Sequence, residues 1–172
     1  MALNKQSGAW VLIFSLSTQS FLLGKRSQTV KKPGIWNFFG GRVNPDEDVL
    51  TAARRELHEE TGFAATATGE IDYGGSQPAP LMELGFVDGL RKLHYFLLII
   101  DSEVAPTLNV EHSEYCWFTP DKFPFRLNRA ANIAVNIGLI QKTLQTICPA
   151  LATDTADDTE TAAEAEIDSL DA

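Results

Sequence analysis

Cysteine is scarce in this 172-residue chain, and a long apolar run and an excess of basic charge are both missing. The two cysteines, Cys116 and Cys148, form no CxxC pair or Cys/His cluster, which argues against a zinc site. The apolar run at residues 9–16 is too short to cross a bilayer. Only Lys5 precedes that run and no clear cleavage site follows it, which argues against a signal peptide. We therefore expect a cytoplasmic protein with reduced thiols and no membrane partner.

The formal net charge of −9 comes mostly from the C-terminal end of the chain. Residues 153–172 hold eight acidic residues and no Lys or Arg, which leaves 15 acidic against 14 basic residues elsewhere. A nearly neutral body argues against tight binding to long nucleic acid. Because the end of the chain has no aromatic and few large apolar residues, we expect one domain over residues 1–149 and an acidic, disordered tail over residues 150–172.

Apolar and turn residues predict strands and helices that alternate along the chain. The pattern predicts a hairpin over residues 9–26, a short strand at 36–41, a second strand pair at 81–101 and a strand at 115–118, with a loop at 69–80. A helix is expected from an N-cap at Asn44 to Thr61, with Gly62 ending it. Apolar spacing predicts another helix over residues 128–148. This order favours an α/β fold with a mixed sheet.

Three glutamates share one face of the first predicted helix. Glu56, Glu59 and Glu60 fall within an arc of about 100°. Carboxylates that crowd together raise one another's pKa values unless a cation neutralises them. Their oxygen atoms suit Mg²⁺ or Mn²⁺, which would neutralise a diphosphate and acidify an attacking water. A bare Glu-x-x-Glu-Glu is more often a solvated helix face, so the surrounding residues decide between the two interpretations.

Those surrounding residues complete a longer motif. The pattern is Gly41-x5-Glu47-x7-Arg55-Glu56-Leu57-x-Glu59-Glu60-x-Gly62-Phe63. It fills every fixed position of a Nudix box, so the chain resembles the Nudix hydrolase family over about residues 8–148. The resemblance implies a Nudix-type α/β/α sandwich with a mixed β-sheet, a Mg²⁺ cofactor with Mn²⁺ as an alternative, and hydrolysis of a diphosphate bond.

The resemblance also implies roles for the residues of the box. The predicted metal ligands are the Gly40 carbonyl and the carboxylates of Glu56, Glu59 and Glu60. Arg55 matches an arginine that orients these carboxylates by charge-assisted hydrogen bonds, and Glu47 matches a structural glutamate.

Other predicted site residues lie outside the box. A later acid, as metal ligand or general base, is either Glu111 or Glu114, and the distance to Trp117 favours Glu111. Arg26 matches a phosphate contact, and Phe38 and Asn128 match positions that touch the nucleobase. The simpler alternatives are a solvated strand-end arginine, a core phenylalanine and a helix N-cap.

The substrate remains open at this point. Residues 76–80 resemble the start of the Ser-Gln-Pro-Trp-Pro array of NADH pyrophosphatases, with Ala79 in place of the tryptophan, and residues 21–26 resemble GDP-mannose hydrolases. We therefore expect a nucleoside diphosphate linked to another moiety, of the ADP-ribose, NADH or nucleotide-sugar type. The alternatives are a MutT-like (deoxy)nucleoside triphosphate pyrophosphohydrolase and a Nudix module that senses a nucleotide without cutting it. The expected partner is a small nucleotide, and a homodimer is allowed for.

Overall fold

The computed structural model describes residues 6–147, so the predicted acidic tail lies outside the described residues. The chain divides into two units, Met1–Asn132 and Ile133–Ala172. The first unit holds all the strands and the helix that carries the three glutamates. The domain boundary predicted at residue 149 stays a prediction.

A seven-stranded mixed sheet dominates the first unit. The strands are β1 Ser7–Ser15, β2 Ser20–Arg26, β3 Trp36–Asn37, β4 Phe39–Arg42, β7 Leu81–Asp88, β8 Lys92–Ile100 and β9 His112–Phe118. The main path of the sheet runs β3-β2-β1-β8-β7, with β4 added to β1 and β9 added to β2. Strands β1 and β8 are parallel, and the other paired strands are antiparallel. The predicted α/β class with a mixed sheet is confirmed.

Strands β1 and β2 pair only near the turn that joins them and separate away from it, and this separation positions the site. Strand β1 pairs with β2 only through residues 13–15 and pairs with β4 through residues 8–11. Strand β3 pairs with Gly24 and Lys25 of β2. The segment 36–42 therefore runs between the two diverging strands, which places Gly40 opposite Trp10.

Helix α1 spans Val49–Thr61 and ends at Gly62, which has a φ of 76°, as predicted. The N-cap predicted at Asn44 is wrong, because Asp48 accepts hydrogen bonds from the backbone N–H groups of Leu50 and Thr51. Asp46 has a φ of 65°, so residues 44–47 form a turn and not a first helical turn. The apolar face of α1, which includes the buried Ala53 and Leu57, packs in the core with the β1 residues Ala9, Val11 and Ile13.

Three further segments differ from the sequence prediction. The segment predicted as one helix over 128–148 forms two, α2 Arg129–Asn136 and α3 Leu139–Ile147, because Gly138 takes a φ of 73° that a helix does not allow. The predicted loop at 69–80 contains β6 Ile71–Asp72, which pairs with β5 Ala64–Ala65. Strand β9 begins at His112, three residues earlier than predicted, and a 3₁₀ helix, Pro120–Lys122, follows it.

Strand β7 forms one edge of the sheet and is irregular. Its register with β8 shifts between Glu83 and Gly85, and Gly85 has a φ of 128°. The side chain of Phe86 on this strand is half exposed, and the ammonium group of Lys92 lies 3.9 Å from its ring centroid. Within residues 6–147, none of the helices has the length and apolar character needed to cross a bilayer.

Candidate active site

Two consecutive glycines allow strand β4 to lie close to both β1 and helix α1. A Cβ atom on Gly40, whose φ is 144°, would lie 2.2 Å from the carbonyl oxygen of Ala9 on β1. A Cβ atom on Gly41 would lie 2.7 Å from the carboxyl group of Glu56 on α1. Gly40 therefore allows the close contact with β1, and Gly41 allows the Glu56 carboxylate to lie against the backbone of β4.

Glu60 is the buried acid of the site. Its Oε2 atom accepts a hydrogen bond from the backbone N–H of Gly40 at 2.6 Å. Burial raises the pKa of Glu60 well above its usual range. The Gly40 N–H and the charge of Arg26 oppose this increase, whereas the charges of Glu56 and Glu111 add to it. A cation beside Glu60 would relieve both the burial of its charge and the repulsion by its acidic neighbours.

Glu56 lies next to Gly41 and is partly buried. Burial raises the pKa of Glu56, Arg55 opposes this through a hydrogen bond, and the charges of Glu59 and Glu111 raise the pKa further. Glu59 is exposed and lies 3.4 Å from Nη1 of Arg55. The acids therefore differ in placement, with Glu56 and Glu60 directed toward β4 and Glu59 on the solvent side.

The donor set at this position suits a hard divalent cation. The charges of Glu56, Glu60 and Glu111 act on one another, and their carboxylate oxygens are the hard donors that such a cation prefers. Within residues 6–147, however, no three acidic, His or Cys side chains already converge closely enough to hold an ion. The residues fit Mg²⁺ or Mn²⁺ if Glu56 and Glu60 act together with backbone oxygen, water or substrate oxygen atoms, as Mg²⁺ sites usually do.

Arg55 links the site to the turn that precedes α1. Its Nε and Nη2 atoms donate to the two carboxylate oxygens of Glu47 at 2.9 and 3.0 Å, and Nη1 donates to Glu56 at 2.8 Å. Nη2 also donates to the carbonyl of Arg42 on β4. The hydrogen bond from Arg55 lowers the pKa of Glu47, which keeps that carboxylate ionised. The orienting contacts predicted for Arg55 are thus present, and its effect on turnover stays a prediction.

The two late acids have different surroundings. Glu111 is exposed, and its charge raises the pKa values of both Glu56 and Glu60. Glu114 lies opposite Lys25 on β2 and forms an ion pair with the Lys25 ammonium group. The charge of Glu111 therefore acts on the glutamates of α1, whereas Glu114 is paired with Lys25.

Arg26 is the last residue of β2, and Phe38 lies between β3 and β4. The charge of Arg26 reaches Glu60, and its Nε atom donates to the carbonyl of Lys31 at 2.8 Å. Phe38 is buried and packs edge-on against Phe21 and Phe123, so the simpler alternative, a core side chain, describes its present contacts. Contact of Arg26 with phosphate and of Phe38 with a nucleobase stay predictions.

Asn128 is partly buried at the start of α2. Its Oδ1 atom accepts from the N–H of Arg129, and its backbone N–H donates to the carbonyl of Trp36 at 2.7 Å. The backbone next to Asn128 is therefore attached to β3, and the side chain makes the kind of contact expected near a helix start. Its contact with a nucleobase stays a prediction.

Sequence reasoning missed two buried polar residues, His112 beside Glu60 and Asn37 on β3. His112 is buried, and its Nδ1 atom lies 4.0 Å from Oε1 of Glu60. Burial lowers the pKa of His112 to about 4, with a further contribution from Arg26, so the imidazole is neutral and this contact is not an ion pair. Asn37 is also buried, and its Oδ1 atom has no hydrogen-bond partner within the described residues. A polar residue within an apolar or aromatic stretch was the one available signal for Asn37.

The comparisons with known proteins agree with this geometry. Residues 4–136 match the family model described as the NUDIX domain. An m7GpppN-mRNA hydrolase from Bos taurus is 32% identical over 125 residues, which is 64% of this chain and 40% of that protein. An oxidized purine nucleoside triphosphate hydrolase from Mus musculus is 26% identical over 119 residues, which is 69% of this chain and 70% of that protein.

A solved structure supports the same fold. The crystal structure of an ADP-ribose pyrophosphatase from Streptococcus suis matches with a TM-score of 0.58 and 18% identity, over 81% of this chain and 92% of that one. At this identity the match shows the fold alone. It confirms the predicted Nudix-type fold.

Proposed function

The chain belongs to the Nudix hydrolase family, which acts on pyrophosphate bonds, and from this premise we propose that it hydrolyses a diphosphate bond of a small nucleotide with Mg²⁺. The observation that supports this proposal best is the buried Glu60, held by the Gly40 N–H beside Glu56. A module that only senses a nucleotide has no need of such an acidic cluster, and every carboxylate of the box is present here.

The residues of the site would have separate roles in binding the cation, orienting the carboxylates and removing a proton. Glu56, Glu60 and the Gly40 carbonyl, with Glu59 and Glu111, would hold Mg²⁺ or Mn²⁺, which supplies charge neutralisation of the diphosphate and a more acidic water. Arg55 keeps Glu56 in place through the hydrogen bond at 2.8 Å. Glu111 is exposed and close to the acidic pair, so we assign to it the removal of a proton from the attacking water.

Arg26 would contact the substrate phosphates. It is the cation whose charge acts on both Glu60 and His112, and it lies at the end of β2 beside the acidic pair. A guanidinium group there would bind phosphate oxygens and orient the phosphorus for in-line attack. Its hydrogen bond to the carbonyl of Lys31 is made by Nε, and within residues 6–147 this bond does not use the two Nη atoms, which could bind phosphate.

The position of residues 76–80 bears on the substrate class. The hydroxyl of Ser76 donates to Asp101 at 2.8 Å, and the carbonyl of Asp101 accepts from the N–H of Ser17. Gly40, by contrast, pairs with Trp10, seven residues earlier than Ser17, which corresponds to roughly 20 Å along a strand. Ser76, at the start of the segment that resembles NADH pyrophosphatases, is therefore attached well away from Gly40, whereas Ala79 of the same segment lies in the core cluster that includes Leu57 of α1.

A (deoxy)nucleoside triphosphate is our first candidate substrate. The mouse relative, which is named as an oxidized purine nucleoside triphosphate hydrolase, is the observation that favours it. The nucleoside diphosphate linked to another moiety, which the sequence favoured, becomes the second candidate. The two classes give different products, since a triphosphate yields a monophosphate and pyrophosphate whereas ADP-ribose yields two monophosphates.

A product screen of wild type and Glu60→Gln tests the proposal. The panel is dGTP, 8-oxo-dGTP, CTP, ADP-ribose, NADH and GDP-mannose with Mg²⁺ or Mn²⁺, followed by ³¹P NMR. We expect Glu60→Gln to lower kcat by orders of magnitude with an unchanged circular dichroism spectrum, because the amide keeps an oxygen for the Gly40 N–H but loses the charge. Glu70→Gln, at an exposed acid in the turn between β5 and β6, is the control and should keep wild-type turnover. Full activity of Glu60→Gln would show that the roles are assigned wrongly.

A further inference from the structure

The imidazole of His112 is held in one orientation by its neighbours. A Cβ atom on Gly24 would lie 2.6 Å from Cδ2 of His112, so the ring fills the space that this glycine leaves. The ring of Phe39 packs against the imidazole at the same place, with the ring centroids 5.2 Å apart and Cε1 of Phe39 2.8 Å from the Cβ position on Gly24. The side chain of His112 is 2% exposed. A ring enclosed in this way cannot rotate freely or exchange its contacts with water.

Glu60 is anchored at only one of its two carboxylate oxygens. Oε2 accepts from the Gly40 N–H, while Oε1 faces Nδ1 of His112 at 4.0 Å. That Nδ1 atom is buried and has no hydrogen-bond partner within residues 6–147. A separation of 4.0 Å is too long for a hydrogen bond, but a shift of about 1 Å by either side chain would form one.

We propose that His112 is a positioning residue, which carries its proton on Nδ1 and donates it in a hydrogen bond to Oε1 of the ionised Glu60. With one oxygen fixed by Gly40 and the other by His112, the carboxylate can no longer rotate about its last bond. The remaining lone pairs of its two oxygens then keep fixed directions, which helps a carboxylate to bind a divalent cation. The inference rests on the proposed function in one respect, namely that Glu60 is a cation ligand.

The presence of a histidine at position 112 favours a positioning role over simple packing. The ring of Phe39 gives this position an apolar neighbour, and a phenylalanine at position 112 would leave no buried nitrogen without a partner. An imidazole is useful at this place only if its nitrogen contacts a polar group. Glu60 Oε1 is the acceptor that the structure places opposite it.

Three substitutions separate the donor from the volume of the ring. His112→Asn places an amide nitrogen near the position of Nδ1, His112→Gln places one near the position of Nε2, and His112→Phe fills the space without a donor. We would titrate each substrate-free protein with Mn²⁺ alone by calorimetry. We would then measure kcat and KM on the panel nucleotide that wild type hydrolyses, and the Tm.

We expect His112→Phe and His112→Gln to weaken Mn²⁺ binding by about 10- to 100-fold and to lower kcat more than they change KM. His112→Asn should restore most of both. If His112→Phe binds Mn²⁺ as wild type does, or if all three variants lose affinity in proportion to their loss of Tm, the positioning role is refuted and His112 is a packing residue.

A measurement on the wild-type protein covers the case in which the variants fold poorly. The ¹⁵N NMR spectrum of the imidazole should show the proton of His112 on Nδ1 with Mg²⁺ bound. A proton on Nε2 alone would overturn the inference, whatever the turnover. Neither this spectrum nor the Mn²⁺ titration uses a nucleotide. Failure of the proposed hydrolysis would therefore be seen in the product screen, and failure of the positioning role would be seen here.

Discussion

The ion pair between Arg55 and Glu47 should be worth a measurable amount of stability as well as activity. Two hydrogen bonds, at 2.9 and 3.0 Å, join the guanidinium to the two carboxylate oxygens, and the side chains are 27% and 12% exposed. A hydrogen bond to a charged partner contributes about 1.5–3 kcal/mol, and a fully exposed ion pair at most about 1 kcal/mol. For this partly exposed pair we expect a coupling free energy of about 1–2 kcal/mol.

A double-mutant cycle measures this coupling directly. Urea denaturation of metal-free wild type, Arg55→Lys, Glu47→Gln and the double variant gives four free energies of unfolding. Lysine keeps the positive charge, but one ammonium group cannot span both oxygens of Glu47 and also reach Glu56. A coupling free energy below about 0.5 kcal/mol would refute the reasoning, because the changes in unfolding free energy at two distant, independent sites add to within about that amount.

The same cycle should depend on pH with a definite sign. The pKa of Glu47 is lowered in the folded protein, first by the hydrogen bond to Arg55, from an ordinary value of 4.5. An acid with a lowered pKa contributes its full stability above the unfolded value and loses it as the pH falls through the folded value. The coupling should therefore be constant at neutral pH and decline below pH 4.5, and Arg55→Lys should show a weaker decline in stability over that range.

Three further predictions concern the other parts of the site. Gly40→Ala should lower the free energy of unfolding by more than about 3 kcal/mol in urea denaturation, because its Cβ atom would lie 2.2 Å from a backbone oxygen at a φ of 144°. Phe38→Leu should cost about 1–2 kcal/mol with KM unchanged, and a raised KM without loss of stability would instead identify a substrate contact. Glu111→Gln should lower kcat by about 100-fold, whereas Glu114→Gln, whose parent forms an ion pair with Lys25, should not. Equal turnover of these two variants would contradict the assignment of Glu111.

Local sequence rules predicted the helix that carries the site but not where it begins. The end at Gly62 was predicted because a left-handed residue after the last turn is a local requirement that glycine meets. Asn44 and Asp48 are both good N-cap residues, and Pro45 after Asn44 favoured the wrong one. In the structure Asp46 has a φ of 65°, which a helix does not allow, so the helix begins after Asp48 and not after Asn44. A single sequence does not reveal that angle.

The spacing of the glutamates along the helix predicted that they share one face, but it did not predict that they differ in burial. Adjacent residues on a helix differ by about 100°, so Glu59 and Glu60 cannot both face β4. The sheet covers Glu60 and leaves Glu59 exposed. His112 was not predicted because its place beside Glu60 depends on the pairing of β2 with β9, where the register shifts between Lys25 and Arg26. Such long-range pairing is not encoded in any local pattern.

The irregular edge strand β7 has a consequence for self-association. Two subunits can share one continuous sheet only when both present a straight row of free N–H and C=O groups. The register shift between Glu83 and Gly85 interrupts this row on β7, in the manner by which natural proteins resist edge-to-edge aggregation. Pairing of two copies of this chain through their β7 edges is therefore disfavoured.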